Sequence, residues 1–194
     1  MRQLGLAKRS LKVNWSQGAS AEMFDSEKVF EEYARVAGSR KKRGHVLIQK
    51  GDVDSVLQKA HRTYSADYLS DHVYHAQMEP LNAIVAVNPA GDGAEIWAGT
   101  QSPTGAIKEV AQLLGTSPRK IKLHPCFLGG GFGRRSMSDY IVEAAKLSKA
   151  VRKPVKLIWS REDDLQYGAF RPMCLQRLDA GVDAEGKLIA WKHS

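Results

Sequence analysis

Cysteine is nearly absent from this chain: Cys126 and Cys174 are the only two in 194 residues, and they form no C-x-x-C pair. An iron–sulfur or zinc site built from this chain alone is therefore not expected, because such sites draw on several closely spaced thiolate or imidazole ligands. A reduced chain and a single disulfide account for the count equally well. Long apolar runs are also missing, and nothing approaches the ~20 residues that a bilayer span needs. Met1–Gly5 has no apolar core of the signal-peptide kind, which for a piece of a longer protein leaves both cytoplasm and periplasm open.

What is there reads as an ordinary globular chain, 43% hydrophobic and 26% charged, with room for a good core. The formal net charge of +8 points to an acidic partner: nucleic acid, a phosphorylated cofactor or an acidic subunit. Part of it sits in Arg40-Lys41-Lys42-Arg43, between a helical pattern and a strand pattern, which reads as a solvated loop. No aromatic residue is interleaved there, so a nucleic-acid surface is not expected.

Periodicity gives alternating helices and strands, an α+β class with helices on a mixed sheet. Ser10–Trp15 and Gly44–Gln49 read as strands. Ala19–Val36 reads as a helix with Ser26 able to cap it, and residues 52–59 as a helix opened by Asp52. His61–Leu69, Leu81–Val87, Ala94–Ala98, Lys120–Cys126, Pro154–Ser160, Arg171–Val182 and Lys187–His193 read as strands, with Thr104–Leu114 a helix closed by Gly115. Ser136 and Asp139 have capping-box spacing ahead of a helix to about Val151, with Tyr140, Ile141, Ala144, Leu147 and Ala150 lining one face. The final strand pattern, Leu188–Trp191, is followed by only three residues, so a truncated domain is expected.

The densest chemical signal is Gly129-Gly130-Gly131-Phe132-Gly133-Arg134-Arg135, between a strand and a helix. Glycines permit positive φ and close approach, so successive N–H groups can cradle an anion, helped by the next helix N-terminus. Arg134 and Arg135 would add bidentate donors for phosphate or carboxylate. Two familiar loops are excluded. The dinucleotide fingerprint puts Arg134 or Ser136 where its last glycine belongs, and a phosphate loop of the Gly-Lys-Ser/Thr type would not continue Gly-Arg-Arg-Ser.

Other candidates are weaker alone. Gln101, at a strand end after Thr100, can offer its amide to an oxo or carbonyl group. His72, His75 and Glu79 resemble a metal set, but they fall in an irregular stretch ending at Pro80, which favours structural hydrogen bonding. In Trp159-Ser160-Arg161-Glu162-Asp163-Asp164 the expected outcome is a local salt-bridge and capping network, since adjacent carboxylates seldom converge on one bond. No spacing pairs Ser or Cys with His as nucleophile and base.

In order, His75-Ala76-Gln77-Met78-Glu79-Pro80, Trp97-Ala98-Gly99-Thr100-Gln101, Leu128 to Arg135, and Trp159 to Asp164 resemble the molybdopterin-binding subunit of the xanthine oxidase/aldehyde oxidase family. The double arginine looks most like its bacterial two-subunit branch, the isoquinoline 1-oxidoreductase beta subunits and related aldehyde dehydrogenases. The resemblance runs from about residue 40 to the C-terminus. It implies a partial N-terminal linker or small-domain region over residues 1–60 and the first molybdopterin-binding domain, cut short, over 61–194.

It also implies roles. Gln101 would hydrogen-bond an oxo ligand of molybdenum. Gly130, Gly131, Phe132, Gly133 and Arg134 would line the cofactor, a molybdopterin cytosine dinucleotide. Arg171, or Phe170 with a one-residue gap, would fall by the substrate. The family's glutamate base belongs to a part that this chain does not contain, so no catalytic residue and no protein ligand to a metal is expected here. Hydroxylation of aldehydes or N-heteroaromatics with water as oxygen source is implied, with electrons leaving through a separate iron–sulfur small subunit and the chain inactive alone. Purines are not expected, because purine-oxidising members carry lysine and glutamate where Arg135 and Ser136 stand. The alternative is a small non-catalytic basic domain that binds phosphate-rich ligands or nucleic acid through the glycine–arginine loop.

Overall fold

The computed structural model describes residues 10–14, 24–39 and 44–194. Trp15, the first part of the expected helix over 19–36 and the basic cluster at 40–43 lie outside them. In chain order the elements are α1 (Ser26–Ala37), α2 (Val53–Lys59), β1 (Arg62–Ser70), β2 (Asn82–Val87), β3 (Ala94–Ala98), α3 (Pro103–Leu114), β4 (Ile121–Pro125), α4 (Asp139–Val151), β5 (Val155–Ile158), α5 (Arg161–Tyr167), β6 (Cys174–Val182) and β7 (Leu188–His193). They divide into two compact units, one of described residues up to Ser70 with Cys174–Ser194, the other Asp71–Met173.

The first unit is an antiparallel sheet in the order β1-β6-β7. Its register runs from Arg62 opposite Val182 to Ser70 opposite Cys174. The β6–β7 turn is set by Asp183, whose carboxylate accepts the N–H groups of Glu185 and Lys187. α1 packs on β6, and α2 on β7. α1 is capped by Asp25 rather than Ser26: Asp25 is extended, and its carboxylate accepts from Glu27 and Lys28. A charged acceptor at that end also meets the positive pole of the helix. Leu11–Asn14 and Gly44–Gln49 are not strands. An alternating pattern makes a strand only where a ladder partner exists, and Val46, Leu47 and Ile48 stay exposed.

The second unit is a mixed four-stranded sheet, β4-β3-β2-β5, in which only β3 and β4 run parallel. A parallel pair needs a crossover, and α3 supplies it. That helix begins with Pro103 at its first position and stops at Gly115, whose φ of 68° is the left-handed conformation glycine takes without strain. α3 and α4 pack on the sheet and on each other. Leu81, Val85, Ile96, Val110, Tyr140 and Ile141 form the centre of the core, all fully buried.

α4 departs from expectation in two ways. Its N-cap is Ser138, with no side-chain cap bond, and Ser136 and Asp139 do not form a capping box. Asp139 turns to Arg134 instead, an ionic partner that outcompetes a neutral backbone N–H. The buried face is Tyr140, Ile141, Ala144, Ala145 and Ser148, with Leu147 outward. Ser148 is worth burying because its hydroxyl accepts from Val87 N–H at 2.9 Å and donates to the Lys153 carbonyl at 2.8 Å. No helix among the described residues is long and apolar enough to cross a membrane.

Candidate functional site

β3 ends at Ala98 and delivers Gly99-Thr100-Gln101. β4 ends at Pro125 and leads into the glycine run. Because β3 and β4 are parallel neighbours, both loops leave the same end of the sheet. Gly99 fits there because a Cβ would come within 2.9 Å of Leu128 Cβ. The run is then pinned at both ends: Gly129 N–H donates to Glu79 Oε2 at 2.8 Å, and Gly133 N–H to Gln101 Oε1 at 3.0 Å.

Between those pins the backbone is unusual. Gly130 and Gly133 have φ of 95° and 103°, and Phe132 sits at 52°. A bulky side chain in that region costs about 1–3 kcal/mol, and such strain collects where a ligand is handled. The Phe132 ring is exposed. The N–H groups of Gly130, Gly131 and Phe132 make no hydrogen bond among the described residues, and neither does the Gln101 amide nitrogen. Three consecutive backbone donors, one of them on the buried Gly131, and one amide donor therefore lie unpaired in one loop region among the described residues, a donor set whose chemistry suits an anionic or oxo-bearing group. A Cβ on Gly131 would collide with the Gln101 amide, so the glycine is what lets Gln101 lie against the loop.

The two arginines do the reverse of what the sequence suggests. Both are fully buried. Arg134 reaches Asp139 through both terminal nitrogens, at 2.9 and 2.6 Å, and lies 5.7 Å from the centre of the Trp159 ring. Arg135 donates to Glu79 and to the carbonyls of Gly99, Glu79, Pro80 and Gly130. Their guanidinium groups are spent inside the fold, so the expectation that Arg134 and Arg135 present them to a ligand is corrected. The loop's own two arginines thereby give none of the outward charge that a basic phosphate- or nucleic-acid-binding module would draw from them.

Glu79 is an anchor rather than a ligand. Burial pushes its carboxyl up, but the Gly129 N–H, the Asn82 amide and the Arg135 guanidinium together hold it below its ordinary value. His72 Nδ1 meets the Arg171 carbonyl at 2.8 Å. Among the described residues no three of His, Cys, Asp and Glu form a metal-binding group. Burial and the Arg171 and Arg134 cations push His75 down, against the pull of the Ala169 backbone and Asp164.

Arg171 does come to the loop. Its Nη2 donates to the Phe132 carbonyl at 2.9 Å, and its N–H to Val73. Phe170 instead packs edge-on against Tyr74. The 159–164 stretch forms the expected network: Ser160 and Asp163 make a capping box, while Arg161 bridges buried Asp164 and the carbonyls of Gln77 and Met78. Sequence reasoning missed the partner of Asp164, the buried Gln77 amide, which donates to both carboxylate oxygens. Ala76, with φ of 49°, turns Gln77 inward, and nothing in the sequence marks that position. Burial and the neighbouring carboxylate push the Tyr74 phenol up to about 12.

Against known proteins, residues 14–194 match the family model described as a molybdopterin cofactor-binding domain, and the chain belongs to that family. It is 36% identical over 195 residues to the isoquinoline 1-oxidoreductase subunit beta of Brevundimonas diminuta, an alignment covering 97% of this chain and 25% of that protein. It is also 36% identical over 186 residues to a protein of Gluconacetobacter polyoxogenes named membrane-bound aldehyde dehydrogenase (pyrroloquinoline-quinone), covering 95% and 23%. Among solved structures, the CO dehydrogenase of Oligotropha carboxidovorans shares the fold at a TM-score of 0.64 and 20% identity, over 73% of this chain and 18% of that one. The chain spans about a quarter of the length of these two curated relatives.

Proposed function

We propose that this chain forms the cofactor-cradling wall of a molybdenum hydroxylase that oxidises aldehydes or N-heteroaromatic compounds with water as the oxygen source. The observation that carries the reading is the row of donors left unpaired among the described residues, Gly130, Gly131 and Phe132 N–H beside the Gln101 amide, in a chain of the molybdopterin-binding family. The names of the relatives, an isoquinoline oxidoreductase and an aldehyde dehydrogenase, support the substrate classes. The cofactor in this reading is a molybdopterin cytosine dinucleotide, which when bound supplies the two-electron oxidation and the oxygen transfer.

The residues present fit such a group through backbone rather than charge. Gln101 orients an oxo-type acceptor with its free amide N–H, while Gly133 holds the other end of that amide. The glycines admit a flat ligand close to the chain, and the exposed Phe132 ring shields one side from water. Arg171, anchored on Phe132, binds a substrate carbonyl or carboxylate. The general base comes from elsewhere. Around the loop Glu79, Asp139, Asp163 and Asp164 are all committed to hydrogen bonds or ion pairs, so none is free to take a proton. The 194-residue chain alone is accordingly inactive in this reading. Electrons leave through a separate iron–sulfur subunit, which the two cysteines of this chain could not replace.

Metal and nucleotide analysis of the natively assembled protein tests this. One molybdenum and one cytosine dinucleotide per chain is the expected result, and a protein purified without either removes the reading. Adding the chain alone to aldehydes and N-heteroaromatics with an artificial acceptor tests the division of labour, since turnover there would refute it.

A further inference from the structure

Arg135 ties together the 79–80 segment, the Gly99-Thr100-Gln101 loop and the glycine run. Its Nε donates to the Gly130 carbonyl at 3.1 Å and its Nη1 to the Gly99 carbonyl at 3.1 Å. Its Nη2 meets the Glu79 carbonyl at 2.9 Å, Glu79 Oε2 at 3.0 Å and the Pro80 carbonyl at 3.3 Å. Its own carbonyl accepts the Gln101 N–H and the Thr100 hydroxyl, each at 3.0 Å. None of those acceptors belongs to a strand ladder: β2 starts at Asn82 and β3 stops at Ala98. Glu79 completes the circuit by taking the Gly129 N–H.

We propose that Arg135, braced by Glu79, is a positioning residue that fixes the Gln101 amide and the glycine loop relative to each other for the bound cofactor. The proposal rests on the reading that Gln101 and the loop face that cofactor. Two features separate it from a merely structural role. Gln101 is tied to the loop twice, backbone to Arg135 and side chain to Gly133, so a shift at Arg135 moves its amide. The planar fork also spreads over acceptors on three separate segments, which an ammonium of three donors on a single nitrogen cannot match. Thr100 makes the coupling adjustable: its hydroxyl joins the Arg135 carbonyl to Ser102 N–H, so Thr100→Val loosens the link without removing the buried cation.

The test uses the natively assembled protein with Arg135→Lys, Thr100→Val, Gln101→Ala and the double variant Thr100→Val/Gln101→Ala, read by molybdenum per folded chain, melting temperature, kcat and KM. Arg135→Lys and Thr100→Val are each expected to lower kcat about tenfold with KM nearly unchanged, and to lower molybdenum content severalfold. Thr100→Val should keep a melting temperature within a few degrees of the parent. In the Gln101→Ala background Thr100→Val should cost less than a further twofold, because it acts through Gln101. Full multiplication of the two effects overturns the proposal, as does parent-like kcat and molybdenum content in Thr100→Val, which decides the matter even if Arg135→Lys fails to fold. Absence of molybdenum from the parent protein is a different failure: it removes the functional reading, and the positioning role goes with it.

Discussion

Removing the Asp139 carboxylate strands a cation in the core. The Arg134 side chain is 0% exposed, its Nε–H already lacks a partner, and Asp139 takes both terminal nitrogens. Deleting one partner of a buried ion pair costs about 3–5 kcal/mol, because the remaining charge is left desolvated and unpaired. Asp139 is itself 36% exposed, so water screens part of the attraction and the lower end applies, about 3 kcal/mol. The Trp159 ring face stays in place and softens the loss only slightly. For a unit of this size, roughly 4–8 °C of melting temperature accompany each kcal/mol, so Asp139→Ala should lower the transition by roughly 12 °C or more. Urea denaturation followed by near-ultraviolet circular dichroism measures it. The double variant Arg134→Met/Asp139→Ala, which removes the stranded charge as well, should recover about half of the loss. A cost under about 1 kcal/mol for the single variant, or a double variant worse than the single, would refute the assignment of Arg134 as a buried structural cation.

Gly131→Ala meets only the flexible end of Gln101, and φ at Gly131 is not positive, so stability should change by under about 1 kcal/mol while the displaced amide lowers cofactor content in the native protein; equal losses in both would contradict this. Ile96→Ala, fully buried in the central strand, should cost about 2–5 kcal/mol in the same urea assay. Glu79, whose folded-state carboxyl titrates below its ordinary 4.5, contributes stability that is complete above that value and lost as pH falls through the depressed one. Glu79→Gln should therefore flatten the stability profile as pH falls below 4.5, and an unchanged slope would speak against the anchor. His75 acts in the window below 6.5, where the unfolded chain takes up its proton first and stability falls with acidification; replacing it by a non-titrating residue should remove that part of the slope.

Much of the fold was legible because the signals were local. β3 falls on the residues its pattern marks, and Gly115 closes α3 in the left-handed conformation that makes glycine a stop signal. Where reading failed, a partner distant in sequence decided. Leu147 has the apolar character for the buried face of α4, yet Ser148 takes that place because Val87 and Lys153 offer it hydrogen bonds. Gly44–Gln49 has strand-like residues but no ladder partner among the described residues. The glycine run was visible as a cradle, and Gln101 as a donor beside it, since both depend on residue type and on strand ends. The fate of the two arginines was not visible. Glu79 lies 56 residues before Arg135, and no spacing rule links them.

That reversal changes what the loop can do. With Arg134 and Arg135 turned inward, the cations neutralise Asp139 and Glu79 and donate to the carbonyls of Gly99, Glu79, Pro80 and Gly130, while the outward side of the loop keeps peptide dipoles, the Gln101 amide, the Phe132 ring and the Arg171 guanidinium. A peptide N–H carries a fraction of a charge and, unlike a guanidinium on a flexible stem, cannot follow its ligand. It rewards a group whose acceptors already stand at the right places and gives little to a mobile polyanion. A basic chain with its two central arginines exposed would bind phosphate promiscuously and weaken steeply with salt. With those arginines buried, the proposed reading expects discrimination by shape and a weaker salt dependence than an exposed pair would give. In the proposed reading, rigid backbone donors braced from behind by buried charge would be the physical basis on which this loop selects a cofactor, and removing Arg135 would return it to an ordinary glycine turn.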